Sequence, residues 1–324
     1  MTEQHFHHDD PIDPKQWRSF TDQHRYTLIE QMYIPHFKLL PLFEELEGIV
    51  VRAREPETWI PYGLALLGDS GVGKTAAVHH WMKTACIQRH VPGPEEQRPY
   101  LYVSLPPEAN MKSLLSRCLA TFGDPSWRVG TTGNMALRLQ SLIKFNRVPM
   151  ICIDNFHHLL TRETGRVLYH CLDLLEQLII RTEIAAVFIG HTGTTETLLL
   201  TSPRLQHFTD SVRFLRPFEW DRRRLSTIRE FRMLLGAIDQ ALPLDTSGLD
   251  EEESAYRLFY ATEGDPSRLF NLIRAAARKA VDGHVETLQR QLLADTFDEL
   301  VVKTVQKENI NPFSAPGFRE ARED

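Results

Sequence analysis

The stretch Gly68-Asp69-Ser70-Gly71-Val72-Gly73-Lys74-Thr75 decides the fold. It carries every fixed position of the pattern G-x-x-x-x-G-K-[ST], in which backbone N–H groups of a glycine-rich loop surround a phosphate. The apolar residues 62–67 before it predict a short buried strand, and residues 76–89, which contain no Gly or Pro, predict a helix after it. Strand, loop and helix together are the context that a phosphate-binding loop requires.

The residue types inside this loop indicate how a nucleotide would be held. Gly68, Gly71 and Gly73 let the backbone turn inward without a Cβ in the way, and the following helix directs its positive dipole end to the same point. Lys74 is expected to reach the β- and γ-phosphates, and Thr75 to offer its hydroxyl to Mg²⁺. We therefore expect ATP and Mg²⁺ as cofactors, with residues 68–75 as the binding loop.

Composition narrows the class of protein. With 324 residues, 42% apolar and 25% charged, the chain suits one large or two smaller globular domains. A net charge of −6 excludes general attraction to nucleic acid, so any DNA contact must come from a local group of cations. The sequence has no apolar run of about 18 residues, and its N-terminus is polar and acidic, so we expect no membrane partner. Four widely spaced cysteines predict reduced thiols in the cytoplasm.

Strand and helix patterns alternate along most of the chain, which predicts an α/β fold with a parallel sheet covered on both faces. Beyond residue 218 only helices are expected. We therefore divide the chain into an N-terminal arm (1–34), an α/β core (35–217), a helical lid (218–303) and a flexible C-terminal tail (304–324). The expected strands are 62–67, 100–105, 149–154, 184–189 and 211–215, and the expected lid helices are 222–235, 251–261, 266–280 and 286–302.

Asp154 ends a buried strand, where an acid can hold Mg²⁺. Many such ATPases have Glu at the next position, as the base that orients the attacking water. Here that residue is Asn155, whose amide can bind water but cannot accept its proton. His157 or His158 is an alternative base, although a purely structural position at the start of a helix is also consistent with their sequence.

Two further groups of residues are candidates for sensing the nucleotide. His191 and Thr192 follow the next strand, where they would either lie near the γ-phosphate or form a turn. Arg268 lies in the first turn of a lid helix, where it would either contact the phosphates or remain an ordinary surface residue. Arg204 is our candidate for an arginine finger that reaches a neighbouring subunit, in preference to Arg213.

DNA contacts have only scattered candidates. Lys112 and Arg128, with Thr131 and Thr132, lie in the segments after the second strand and could contact phosphates. Taken by themselves they also suit an ordinary solvated surface.

Residues 68–75, Asp154, Gly190 and the lid segment with Arg268 together resemble AAA+ ATPases. Over about residues 25–313 the chain is more narrowly similar to the TniB/TnsC family of transposition regulators. Three short motifs carry this similarity: Tyr33-Ile34-Pro35-His36, His157-His158-Leu159 after Asp154, and Asn311-Pro312-Phe313 near the end.

The resemblance implies a five-stranded AAA+ core with a helical lid that forms ATP-dependent rings or helical filaments on double-stranded DNA. It also implies partners, since such assemblies link a target-selection protein to a transposase. Lys112, Arg128, Thr131 and Thr132 fall on positions comparable to those that follow the DNA backbone in the family. Asn155 and His207 depart from the family pattern, which implies weak or altered hydrolysis.

Three alternatives stay open at this point. The first is a helicase loader or another DNA-remodelling ATPase, which requires efficient turnover. The second is a scaffold locked by bound nucleotide that does not hydrolyse it. The third is a signalling ATPase that binds no DNA.

Overall fold

The computed structural model describes residues 13–52, 63–88, 100–159, 165–193, 195–196, 206, 209–303 and 311–314. The chain divides into two compact units: residues 35–216 form one, and residues 1–34 with 217–324 form the other. The described strands are β1 (Gly63–Gly68), β2 (Leu101–Ser104), β3 (Met150–Asp154), β4 (Ala185–Gly190) and β5 (Ser211–Leu215). The described α-helices are α1 (Asp22–Gln31), α2 (Leu40–Arg52), α3 (Lys74–Gln88), α4 (Met111–Thr121), α5 (Thr132–Phe145), α6 (Gly165–Thr182), α7 (Leu225–Ala241), α8 (Glu252–Thr262), α9 (Pro266–Asp282) and α10 (Arg290–Lys303).

The unit of residues 35–216 is built on a five-stranded parallel sheet in the order β2-β3-β4-β1-β5. The strands β1, β3 and β4 are buried along their whole length, as near-continuous apolar runs in a covered parallel sheet should be. The predicted α/β fold is confirmed. Because β4 lies between β1 and β3, the carboxyl ends of these strands bring Gly68, Gly190 and Asp154 to one edge of the sheet, where ligands of such sheets bind.

Side chains from the sheet and its helices form one hydrophobic core in this unit. Phe156 and Phe188 lie in contact with ring centroids 4.7 Å apart, and Leu114 and Leu139 anchor α4 and α5. Burying each such side chain, rather than leaving it exposed to water, stabilises the folded protein by about 1.5–3 kcal/mol. The sequence pattern predicts a helix from Met135 to Phe145. Helix α5 begins earlier, at Thr132, because the Thr131 hydroxyl accepts a hydrogen bond from the Asn134 N–H and caps it.

The helical unit packs α1 and α7–α10 around a second hydrophobic core that includes Ile29, Phe231 and Ile273. Helix α9 begins at Pro266, as the sequence predicts, and Asp265 caps it by accepting from the backbone N–H groups of two following residues. Gly264 precedes the cap with φ of +69°, and a Cβ there would lie 2.1 Å from the Phe218 carbonyl oxygen. In the described part of the chain, no helix has the length and apolar character that crossing a membrane requires.

The described residues near the two ends of the chain are anchored, which differs from the expected arm and flexible tail. Lys15 donates through Nζ to the carbonyl oxygens of Asp239 (2.7 Å) and Leu244 (2.9 Å). Phe313 is 2% exposed, with its ring centroid 6.0 Å from that of Phe297. Such contacts involve single side chains, and they leave no periodic pattern in the sequence. The sequence therefore did not reveal them. Residues 1–12, 304–310 and 315–324 lie outside the described residues.

Candidate nucleotide-binding site

The loop between β1 and α3 is shaped by its glycines. Gly71 and Gly73 have φ values of 92° and 93°, in the left-handed region that glycine adopts without strain. A Cβ on Gly73 would meet no atom within 4 Å, so the space beside the loop is open. Gly68 serves another purpose, since a Cβ there would lie 2.4 Å from the Leu215 carbonyl oxygen of β5. Glycine at position 68 therefore lets β1 and β5 pair closely just before the loop turns.

The Lys74 side chain folds back over this loop. Its Nζ donates to the carbonyl oxygens of Gly68 and Asp69, both at 2.7 Å. Partial burial lowers the pKa of Lys74, while the carboxylates of Asp154 and Asp69 act in the opposite direction. A phosphate in the loop would offer this ammonium group a charged acceptor in place of two neutral carbonyls, which is the stronger kind of hydrogen bond.

Asp154 is the centre of the acidic side of the site. It is only 2% exposed, and both of its carboxylate oxygens accept hydrogen bonds. Its Oδ2 accepts from the hydroxyls of Thr75 (2.6 Å) and Tyr102 (2.7 Å), while Oδ1 accepts from the Asn155 N–H (2.7 Å). These donors offset the cost of burying the charge and hold the carboxylate in one orientation.

Asn155 follows the acid with φ of 55°, a left-handed conformation that Asn tolerates better than most residues. Its side-chain Nδ2 donates to the Ser104 hydroxyl oxygen at 3.2 Å. The amide is thus held against β2. It can take part in hydrogen bonding but cannot act as a general base.

Three histidines lie next to one another near the loop. The ring centroids of His157 and His158 are 4.2 Å apart, and those of His157 and His191 are 6.1 Å apart. The Nε2 atom of His191 lies 3.9 Å from Asp69 Oδ1, which places this predicted sensor beside the phosphate-binding loop. Burial lowers the pKa of His157, and His158, His191 and Lys74 lower it further. His157 is therefore neutral at pH 7 and able to accept a proton.

The remaining predicted nucleotide contacts belong to different parts of the chain. Thr192 lies in the turn after β4, where its carbonyl oxygen contacts His191 Nδ1 at 2.8 Å. Arg268 lies in the first turn of α9 in the helical unit, and its Nη1 donates to Glu263 Oε2 at 2.6 Å. Arg204 and His207 lie outside the described residues.

The predicted DNA contacts lie on α4 and on the segment between α4 and α5. Lys112 is exposed in the first turn of α4. The Arg128 guanidinium lies 4.1 Å from the centroid of the Trp127 ring, a cation–π contact that gives it a defined position. Thr131 caps α5 and Thr132 is its first residue. Arg138 secures the segment before them by donating to the carbonyl oxygens of residues 126 and 129.

Tyr102 and Ser104 are the functional candidates that sequence reasoning missed. Both lie on β2, and they contact Asp154, the last residue of the neighbouring strand, and Asn155, which follows it. Burial alternates along β2, with Leu101 and Val103 buried and the two polar residues half-buried. This alternation in the sequence Leu-Tyr-Val-Ser indicates one polar face, but the order of strands decides that Asp154 lies beside it.

The residues fit a nucleotide with magnesium. In the parts of the chain that the structure describes, no group of three or more His, Cys, Asp or Glu side chains could hold a metal ion. One carboxylate and one hydroxyl, Asp154 and Thr75, nevertheless match the needs of Mg²⁺, which keeps several waters and takes further ligands from phosphates. The open space at Gly73, at the N-terminus of α3, suits the phosphates themselves.

The sheet carries a phosphate-binding loop after β1 and an acid at the end of β3, with β4 between these two strands. This arrangement defines a P-loop nucleoside triphosphatase fold of the AAA+ class, here with an additional helical unit. Residues 26–211, more than half of the chain, match the family described as Bacterial TniB protein, and the chain belongs to this family. The predicted resemblance is confirmed. No curated protein sequence is significantly similar to the chain.

Several solved structures share this fold. The chain is similar to the Aeropyrum pernix ORC1 protein in complex with DNA, with a TM-score of 0.63 and 18% identity, covering 87% of this chain and 72% of that one. The Aeropyrum pernix ORC2 protein has a TM-score of 0.61 and 16% identity, with 86% and 72% covered. Drosophila ORC bound to DNA has a TM-score of 0.52 and 15% identity, with 93% and 70% covered.

Proposed function

We propose that this protein is an ATP- and Mg²⁺-binding AAA+ regulator of DNA transposition. It assembles on double-stranded DNA as a ring or filament when ATP is bound, and it links target selection to the transposase. It hydrolyses ATP slowly. The observation that carries the proposal is the Thr75–Asp154 pair, 2.6 Å apart beside a complete phosphate-binding loop, in a chain of the TniB family.

Each residue of the loop side has a task in nucleotide binding. Backbone N–H groups of residues 69–73 and the N-terminus of α3 bind the phosphates, and Lys74 exchanges its two carbonyl partners for phosphate oxygens. Thr75 and Asp154 would hold Mg²⁺, whose charge neutralises the phosphates. Arg268 in the helical unit, with His191 and Thr192 after β4, would report the state of the nucleotide, and Arg204 would complete the site of a neighbouring subunit.

Slow hydrolysis follows from the residue after Asp154. Asn155 cannot take a proton from water, and its amide is engaged with Ser104 at 3.2 Å. General-base catalysis raises the rate of a reaction about 10²- to 10⁴-fold, so a site that lacks the base should hydrolyse ATP much more slowly. His157, neutral at pH 7 and close to Lys74, is the residue best placed to supply residual activity.

DNA binding is supported by the TniB family and by the fold shared with proteins whose structures were solved with DNA. The cations that would contact the DNA backbone are Lys112 and Arg128, with Thr131 and Thr132 as hydrogen-bond donors nearby. Because the chain has a net charge of −6, a local group of this kind must supply the attraction.

A gel-shift titration with duplex DNA, with and without ATP, tests this function. We expect the natural protein to bind duplex of any sequence only with ATP. The double variant Lys112→Ala with Arg128→Ala should bind more weakly to all sequences, and the slope of log K against log salt should fall by about 0.9 for each phosphate that the variant no longer neutralises. Lys144→Ala, an exposed cation at the other end of α5, is the matched control. An unchanged slope in the double variant would locate the DNA surface elsewhere.

A second candidate is a scaffold that binds nucleotide permanently and does not hydrolyse it, and Asn155 is the observation that favours it. Phosphate release measured over many hours, with DNA present, separates the two functions, because a regulator must release its product at some rate. A helicase loader or remodelling motor, in contrast, would need the brisk turnover that Asn155 argues against.

A further inference from the structure

A cavity of about 740 Å³ lies between the edge strand β2 and helix α4. Two guanidinium groups line it, those of Arg117 on α4 and Arg128 in the segment after it. Its hydroxyl groups come from both sides, with Tyr102 and Ser104 on β2 and Ser113 and Thr121 on α4. It is therefore a polar depression, lined by two exposed arginines and several residues that carry hydroxyl groups.

This lining has the chemistry of a phosphate site. None of the described residues that line the cavity carries a carboxylate, and Asp154 lies behind the Tyr102 hydroxyl at 2.7 Å. Arginine matches phosphate oxygens with two parallel hydrogen bonds. The Ser113 and Thr121 hydroxyls already donate to Asn110 Oδ1 and to the Arg117 carbonyl oxygen, so the two guanidinium groups are the main donors for an anion. The contact of Arg128 with the Trp127 ring, at 4.1 Å, limits the freedom that this side chain would lose on binding.

Tyr102 belongs both to this cavity and to the nucleotide site. Its ring lies 4.3 Å from that of His79, centroid to centroid, and its hydroxyl donates to Asp154 Oδ2 at 2.7 Å. The same oxygen accepts from Thr75 at 2.6 Å. Burial and then the hydrogen bond with Asp154 raise the pKa of Tyr102, so the phenol keeps its single hydrogen. A hydroxyl has one hydrogen to donate and therefore serves one acceptor at a time.

We propose that this cavity binds a phosphate ester, and that the Tyr102 hydroxyl then turns from Asp154 to the bound phosphate. The inference rests on the proposed function, because it assigns Asp154 to Mg²⁺. While Tyr102 donates to Oδ2, a metal ion or its water must compete with that hydrogen. Once the phosphate accepts it, one lone pair of Oδ2 is released and Mg²⁺ binds more tightly. By reciprocity, Mg²⁺ with nucleotide tightens binding in the cavity by the same factor.

The test measures equilibrium binding of a fluorescent ATP analogue to the full-length protein as the Mg²⁺ concentration is raised. Two phosphate esters serve as probes, duplex DNA and glycerol 3-phosphate. Either probe should lower the Mg²⁺ concentration for half-saturation about tenfold, the effect of one hydrogen bond to a charged group. An effect of glycerol 3-phosphate shows that a free phosphate ester suffices. Because assembly on DNA is itself coupled to nucleotide binding, an effect of DNA identifies backbone phosphates as the ligand of the cavity only if Arg117→Ala abolishes it.

Variants separate the proposed switch from a structural role. In Tyr102→Phe, the Mg²⁺ concentration for half-saturation should be about tenfold lower without any probe, and neither probe should lower it further. A merely structural role of the hydroxyl would raise it. Arg117→Ala, on α4 at the cavity wall, should remove the response to both probes. Tyr100→Phe is the matched control, since its hydroxyl donates to the Met82 carbonyl oxygen, and it should behave as the natural protein does.

A half-saturation in Tyr102→Phe that is unchanged or raised would overturn the inference. So would a response to probes that survives in Arg117→Ala, or the lack of any response in the natural protein. If the natural protein shows no Mg²⁺ dependence at all, the assignment of Asp154 is wrong and the proposed function fails with it. A normal Mg²⁺ dependence in the natural protein, with a half-saturation in Tyr102→Phe that does not fall, contradicts only the switch.

Discussion

The two sides of the nucleotide site are constructed in different ways. The loop side, residues 68–75, is made of consecutive residues that act mostly through their backbone, with Lys74 folded over its own loop. The acidic side is made of side chains from β2, β3 and α3 that meet around Asp154. Thr75 and Asp154 are 79 residues apart in sequence, and Tyr102 and Asp154 are 52 apart.

This difference explains how each side tolerates change. A backbone site depends on φ angles and close approach, so it requires glycine at particular positions and accepts many side chains elsewhere. A side-chain site depends on the strand order and on a few polar groups, so conservative substitutions can alter its chemistry while the fold survives. Asn155 is an example, since it places an amide where the family resemblance implies a carboxylate.

The largest effect is expected for Lys74→Ala. The variant loses the cation that would bind the β- and γ-phosphates, and each charge-assisted hydrogen bond is worth about 1.5–3 kcal/mol. We expect affinity for a fluorescent ATP analogue to fall about 1,000-fold, and ATP-dependent assembly to disappear. Lys83→Ala, an exposed lysine further along α3, should change neither. Equal affinity in Lys74→Ala would mean that the nucleotide binds elsewhere.

The next effect belongs to the acidic side. Asn155→Glu should raise ATP turnover about 100-fold and shorten the lifetime of the DNA-bound assembly, because it restores a general base. Phosphate release and the decay of the gel-shifted complex measure the two changes. Glu suits the left-handed backbone at φ of 55° less well, so we also expect a loss of about 1 kcal/mol in stability.

Asn155→Gln is the control for this variant, since it has the length of Glu without the carboxylate and should not gain turnover. Brisk hydrolysis by the natural protein would show that another group, such as His157, already acts as the base. A Glu variant that gains nothing would show that the geometry for water attack is missing for another reason.

A smaller effect should follow from Gly68→Ala on the loop side. The added Cβ would lie 2.4 Å from the Leu215 carbonyl oxygen, a backbone atom that cannot move independently of β5. We expect the free energy of unfolding in urea to fall by about 2 kcal/mol. Gly133→Ala in α5, where a Cβ meets nothing within 4 Å, should be neutral or slightly stabilising. Equal stability of both variants would remove our explanation for glycine at position 68.

The smallest effect concerns pH and the histidines on the acidic side. Burial and neighbouring groups hold the pKa of His157 below its ordinary value, and bound phosphates would raise it. Nucleotide binding should therefore take up a proton, so affinity should rise about threefold as the pH falls from about 7.5 to about 6. Titrations with the fluorescent analogue at these pH values measure this. The dependence should flatten in His157→Gln, and an affinity that falls as the pH is lowered would contradict this role of His157.

Most of the fold could be predicted because its signals are local. Near-continuous apolar runs identified β1, β3 and β4, and shorter patterns with apolar residues identified β2 and β5, all within one or two residues. The absence of strand patterns after residue 218 separated the helical part. Errors were concentrated where capping decides a boundary, as at Thr131, or where isolated contacts anchor a segment, as at Lys15 and Phe313. Such contacts join residues far apart in sequence, so no pattern within a segment reports them.

By itself, the sequence determined the phosphate-binding loop, the acid at the end of a buried strand and the missing carboxylate at Asn155. These features depend on residue identity within a few consecutive positions. Only the tertiary structure decided that β2 lies next to β3, which brings Tyr102 and Ser104 to Asp154 and Asn155. Tyr102 and Ser104 also line the cavity between β2 and α4. The reason is physical: strand order is set by how the helices and the core pack over the whole unit, and the neighbours of a buried carboxylate follow from that order.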